Sequence, residues 1–84
     1  MLIVHEQARQ AAPDLMLWEA AFDLTPAQAR VALELFMGHT VAQTAGSLQV
    51  AQTTVRSHVK ELLAKTGTSR QAQMLVALGN LQAI

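Results

Sequence analysis

The stretch Gln49-Val50-Ala51-Gln52-Thr53-Thr54-Val55-Arg56-Ser57-His58-Val59-Lys60-Glu61-Leu62-Leu63-Ala64-Lys65-Thr66-Gly67 decides how this chain is read. At helical spacing Val55, Val59, Leu62 and Leu63 share one stripe, an arc of roughly 100°. Thr53, Arg56, Ser57 and Lys60 point the other way. Gly67, just past the last turn, supplies the left-handed residue that commonly ends a helix, and Lys65 sits where the helix dipole favours a cation. One face therefore suits a core, and the opposite face groups two cations with two short hydroxyls. A helix of that build fits a DNA groove. The same pattern also describes an ordinary solvated helix, so the neighbouring segments have to decide between the two.

Upstream, Leu24-Thr25-Pro26-Ala27-Gln28 opens a helix: Thr25 can cap, Pro26 suits the first helical position and Gln28 completes a capping box. That helix is expected to run through Val31, Ala32 and Leu35 to Met37, with Gly38 as its stop. Thr40 then caps a short helix, Val41 to Leu48, whose Ala42, Ala45 and Gly46 let another helix approach closely. Gln49-Val50-Ala51 is the turn into the quoted helix. After Gly67, Thr68 or Ser69 caps a last helix expected over Arg70 to Leu78, closed by Gly79-Asn80, with Leu81 and Ile84 on a short tail.

Before all this, Pro13-Asp14 opens a short apolar helix, Leu15 to about Phe22, with Leu15, Trp18 and Phe22 at i, i+3 and i+7. Leu2-Ile3-Val4 reads as a brief strand with no partner strand in the chain, and Glu6 to Ala12 as a linker. The expected organisation is a linker or remnant of an upstream domain over 1–12, followed by one all-α domain over 13–84.

Composition agrees. Eighty-four residues make one small domain. The only aromatics are Trp18, Phe22 and Phe36, and the abundance of Ala, Leu, Val and Gln favours helices over sheet. With no cysteine there is no disulfide framework, and a cytoplasmic location is expected. No apolar run approaches the roughly 18 residues of a membrane span. The formal net charge of zero argues at first against nucleic acid. Its distribution qualifies that: residues 1–50 carry a net minus three and residues 51–84 a net plus three. One face can thus be basic while the total cancels.

Other chemistry finds little support. His58 reads as a polar residue at the edge of the core stripe rather than as a DNA donor, His39 as a loop residue, and His5 has no partner in sequence. The spacing of the three histidines does not suit a metal site. Trp18 and Phe22 read as core anchors, and Met16, Met37 and Met74 as core or interface fillers. No nucleophile–base arrangement, paired-carboxylate site or glycine-rich phosphate loop is present, so neither an enzyme nor a cofactor is expected.

The residues Leu24-Thr25-Pro26, Gly38, Ala45, Leu48, Val50, Thr54-Val55-Arg56, His58-Val59-Lys60 and Lys65-Thr66-Gly67 carry a resemblance. In order and spacing, from about Leu24 to Leu81, they resemble the LuxR/GerE-type helix-turn-helix domain of bacterial transcription regulators. The resemblance implies a four-helix domain, preceded here by the short N-terminal helix or linker. It places the helix Gln52–Lys65 in the major groove of double-stranded DNA. It implies that Arg56, Ser57 and Lys60 face base edges, that Gln52, Thr54 and Lys65 hold phosphates, and that Met74, Leu75 and Leu78 form a homodimer contact. The ending Lys65-Thr66-Gly67-Thr68-Ser69-Arg70-Gln71 resembles members that follow a PAS-like or other sensor domain, which fits Leu2-Ile3-Val4 as the end of such a domain.

The chain departs from the family pattern at four positions. Gln28 stands where a Glu is usual, so any salt bridge made by that carboxylate is lost. Thr44 replaces a larger aliphatic and thins the core. Ala51 replaces a frequent serine cap, at a cost of roughly 1 kcal/mol. Gln49 holds a turn position easier for Gly or Asn. Two readings follow: a sequence-specific DNA-binding output domain, favoured by Arg56, Lys60 and Lys65 together, or a helical module that binds another regulator without binding DNA.

Overall fold

The computed structural model describes residues 14–82, the side chain of Gln82 excepted. The expectations for Leu2-Ile3-Val4, for the linker over 1–12 and for Ile84 lie outside the described residues. Among the described residues five helices follow one another: α1 (Leu15–Phe22), α2 (Pro26–Phe36), α3 (Val41–Leu48), α4 (Gln52–Thr66) and α5 (Gln71–Gln82). No strand occurs among the described residues. The fold class is all-α, as the composition and spacing indicate.

The helix starts follow from local chemistry. Asp14 Oδ1 accepts from the amides of Met16 and Leu17 at 3.1 and 3.2 Å, satisfying two of the orphan donors of α1. At α2 the Gln28 amide donates to Thr25 Oγ1 and the Thr25 amide to Gln28 Oε1, both at 3.1 Å, which completes the box expected there. A second box, not anticipated, joins Thr40 and Gln43 at 2.9 and 3.0 Å and starts α3.

The first four helices end alike. In each, an amide reaches back five residues to an open carbonyl: Leu24 to Glu19, His39 to Glu34, Val50 to Ala45 and Thr68 to Leu63. This closure needs a left-handed residue just before that amide. Glycine supplies it at Gly38 and Gly67, whereas Asp23 (φ 57°) and Gln49 (φ 59°) adopt it against their side chains. The strain expected at Gln49 is therefore present, and Asp23 shares it.

The core lies where α1, α2, α4 and α5 meet. Trp18, Leu35, Leu62, Met74 and Leu78 are fully buried, each contributing on the order of 1.5–3 kcal/mol by leaving water. Trp18 is the anchor foreseen for α1. Its ring meets Phe36 edge-on (centroids 5.3 Å apart, planes at 70°), and its indole Nε1 donates to the Leu78 carbonyl at 3.2 Å. Phe22 packs against the same cluster. Thr44, where a larger aliphatic is usual, is fully buried, and its hydroxyl has no hydrogen-bond partner among the described residues.

Three details correct the sequence reading. The last helix does not close at Gly79-Asn80 but continues to Gln82. Gly79 has no positive φ, and a Cβ there would meet the Phe36 ring at an ordinary 3.5 Å, so nothing makes it a stop. Leu81 accordingly packs against the core from within α5. Ser69 does not accept from the start of α5; its amide and hydroxyl both donate to Gln73 Oε1 at 3.3 Å, and the helix begins two residues later. Met16 and Met37 are exposed (78 % and 57 %) and do not fill the core, whereas Met74 does.

Candidate nucleic-acid interface

The helix α4 lies across α2 and α3 and packs on α5 at its far end. Its inner stripe is the one the spacing defines: Val55 and Leu62 are fully buried, and Val59 and Leu63 pack partly buried beside them. Burying that stripe fixes the rotation of the helix about its own axis. Thr53, Arg56, Ser57 and Lys60 are thereby left on the outer side, all exposed. Arg56 Nη2 donates to Gln52 Oε1 at 3.2 Å, one turn back, so the guanidinium is steadied by a neutral partner. Thr54 is exposed in the first turn. Ala51 caps that turn with backbone alone, as its side chain requires, and leaves the leading amides of α4 without a side-chain acceptor.

Between α3 and α4 the chain turns through Gln49, Val50 and Ala51. The left-handed Gln49 backbone (φ 59°, ψ 47°) ends α3 there and turns the chain away from its axis. Thus α3, the turn and α4 form a helix-turn-helix, with Ala45 buried beneath the crossing.

A polar clasp holds the other end of α4, and its centre is Gln28. This side chain is 4 % exposed. Its Nε2 donates to Glu61 Oε1 at 2.6 Å, and its Oε1 accepts from Lys65 Nζ at 2.8 Å. Lys65 Nζ also donates to the Asp23 carbonyl at 2.7 Å. Glu61 and Lys65 stand one turn apart on α4, so a single buried amide, donor on one side and acceptor on the other, joins an acid and a base of that helix to the start of α2. The carboxylate missing from position 28 is thus replaced by a bridge and not by a gap. Sequence reasoning missed the clasp; the i, i+4 spacing of Glu61 and Lys65 was the one local signal for it.

The clasp engages one residue expected at the interface. Lys65, expected to hold a phosphate, is exposed, and its ammonium donates to the Asp23 carbonyl in the α1–α2 turn and to Gln28 Oε1. Two of the three residues expected at a homodimer contact lie in the core. Met74 and Leu78 are both 0 % exposed, enclosed in the cluster that includes Trp18, and cannot serve as a surface. Leu75 is partly buried, and the large apolar residue that the described part of α5 leaves exposed is Val76, at 60 %.

The histidines divide. His58 takes the edge position anticipated for it: its side chain is 26 % exposed, and its Nδ1 lies 3.8 Å from Glu61 Oε1, beyond hydrogen-bonding reach. His39, expected as a mere loop residue, pairs through Nδ1 with Glu34 Oε1 at 2.8 Å. Among the described residues no group of His, Asp and Glu is arranged to hold a metal ion, and no helix is long and apolar enough to cross a membrane.

Residues 23–78, about two thirds of the chain, match the family model GerE, described as bacterial regulatory proteins of the luxR family. No curated protein and no solved structure matches the chain significantly. The matched span runs from the left-handed Asp23 to the buried Leu78 and takes in the clasp, the turn and all of α4; the chain belongs to the luxR family of bacterial regulatory proteins.

Proposed function

We propose that this domain binds double-stranded DNA sequence-specifically as the output domain of a transcription regulator, with α4 in the major groove. One observation carries the reading: burial of Val55 and Leu62 leaves Arg56, Ser57 and Lys60 exposed together on the outer side of the second helix of a helix-turn-helix. Arg56 and Lys60 can reach guanine O6 and N7, and Ser57 between them can donate or accept. Gln52, Thr54 and the uncapped amides of the first turn suit phosphate oxygens, as helix N-termini do. Phosphate is a poorer assignment for Lys65, whose ammonium already has two acceptors.

A palindromic operator would call for a symmetric homodimer. We place its contact on the outer side of α5, at Val76 and the edge of Leu75, since Met74 and Leu78 are enclosed. An upstream sensor domain and a cytoplasmic setting belong to the same reading. Titration of a labelled duplex against the purified domain at increasing salt tests it. Log affinity should fall linearly with log salt concentration. Absence of binding at about 50 mM salt, where phosphate contacts are strong, would leave the interaction-module reading in its place.

A further inference from the structure

A second feature of the domain lies beside the DNA-facing side and is used by none of the roles above. A half-open cavity of about 180 Å³ is lined by Ala27, Arg30, Val31, Leu48, Val50 and His58. It sits where α2, the helix-turn-helix turn and α4 come together. Its walls are mostly aliphatic, and no acidic residue lines it. The one full charge in the lining is Arg30, which is exposed and has no ion pair or hydrogen bond among the described residues. His58 forms another wall, and its buried Nδ1 has no hydrogen-bond partner among the described residues.

These facts select a chemistry. An apolar cavity of roughly 150 Å³ is enough to admit a benzene-sized body, so this one takes a single ring or a short branched chain. A guanidinium without a partner among the described residues, at a site lined otherwise by aliphatic side chains and the His58 ring, favours a carboxylate over a cation or a neutral polar group. We infer that the cavity is a binding site for a small apolar monocarboxylate, its body against Val31, Leu48 and Val50 and its carboxylate on Arg30. Val50 is 41 % exposed, so part of its surface is available to such a body without displacing core residues. Leu48 and Val50 flank the strained Gln49, which places an occupant against the turn itself.

The test uses the free domain without DNA, so its failure leaves the DNA-binding proposal untouched. Sodium benzoate is titrated into the ¹⁵N-labelled protein, with benzyl alcohol as the uncharged comparison. The inference expects saturable shifts confined to amides near Val31, Leu48 and Val50, and weaker binding of the alcohol. Arg30→Gln should weaken benzoate about threefold, as loss of a partly exposed ion pair does, and leave the alcohol unchanged. Ala27→Leu, which fills the cavity from its exposed rim, should abolish binding of both while the spectrum stays folded. No saturable shift up to the solubility of benzoate would overturn the inference. So would shifts equal for the two probes and indifferent to Arg30→Gln.

Discussion

Replacing Gln28 by Glu puts the usual family residue back into this chain, and the structure says it should be harmful here. The amide Nε2 stands 2.6 Å from Glu61 Oε1, inside a site where Gln28 is only 4 % exposed. Gln28→Glu turns that donor into a second carboxylate. A hydrogen bond to a charged group, worth about 1.5–3 kcal/mol, is lost, and two like charges are brought together. Lys65, 2.8 Å from the retained oxygen, offsets part of this by gaining an ionic partner. The net destabilisation should be about 1–2 kcal/mol, which for a domain this small lowers Tm by roughly 5–10 °C. The double variant Gln28→Glu/Glu61→Gln restores the complement with its polarity reversed: the new amide donates to the carboxylate that Lys65 and the Thr25 amide also approach. Urea and thermal unfolding of wild type, both singles and the double form the cycle that measures the coupling. Most of the loss should be recovered in the double variant. If the two substitutions simply add, the clasp does not work as a donor–acceptor bridge.

Thr44→Val keeps the shape of a fully buried residue and removes a hydroxyl without a partner, so the domain should gain about 1 kcal/mol in urea unfolding. Ala51→Ser supplies the absent side-chain acceptor at the start of α4, with a gain of about 0.5–2 kcal/mol read the same way. Val76→Glu, at a residue 60 % exposed, should change stability by no more than about 0.5 kcal/mol. In an anisotropy titration it should remove cooperative binding to a duplex with two half-sites and spare single-site binding.

How far the sequence revealed these features depended on the range of the interaction concerned. The starts of α2 and α3, the stripe on α4 and the left-handed Gln49 are local, set within a few residues, and they were legible. Tertiary packing decided what was not. Met74 and Leu78 look like an exposed apolar stripe until Trp18, sixty residues away in the chain, donates its indole hydrogen to the Leu78 carbonyl. The bonds of Lys65 to Asp23 and Gln28 form only when α4 packs against α2, and its place on α4 alone gives no sign of them. Gly79 resembles a stop signal, yet the helical chain passes through it beside Phe36. The outer residues Arg56, Ser57 and Lys60 were legible for the opposite reason: their positions follow from the buried stripe on their own helix.

Those outer residues carry the central claim, and Arg56→Ala tests it most directly. Binding sites are first selected from random duplexes with the wild-type domain. Affinity of wild type and variant is then measured on the selected duplex and on an unrelated one at the same salt. A bidentate contact from Arg56 to guanine is worth about 1–3 kcal/mol of discrimination, or roughly 5- to 150-fold. The account predicts a loss of that size on the selected duplex and little change on the unrelated one. An equal loss on both would contradict it, leaving Arg56 as a phosphate contact and α4 without its reading residue.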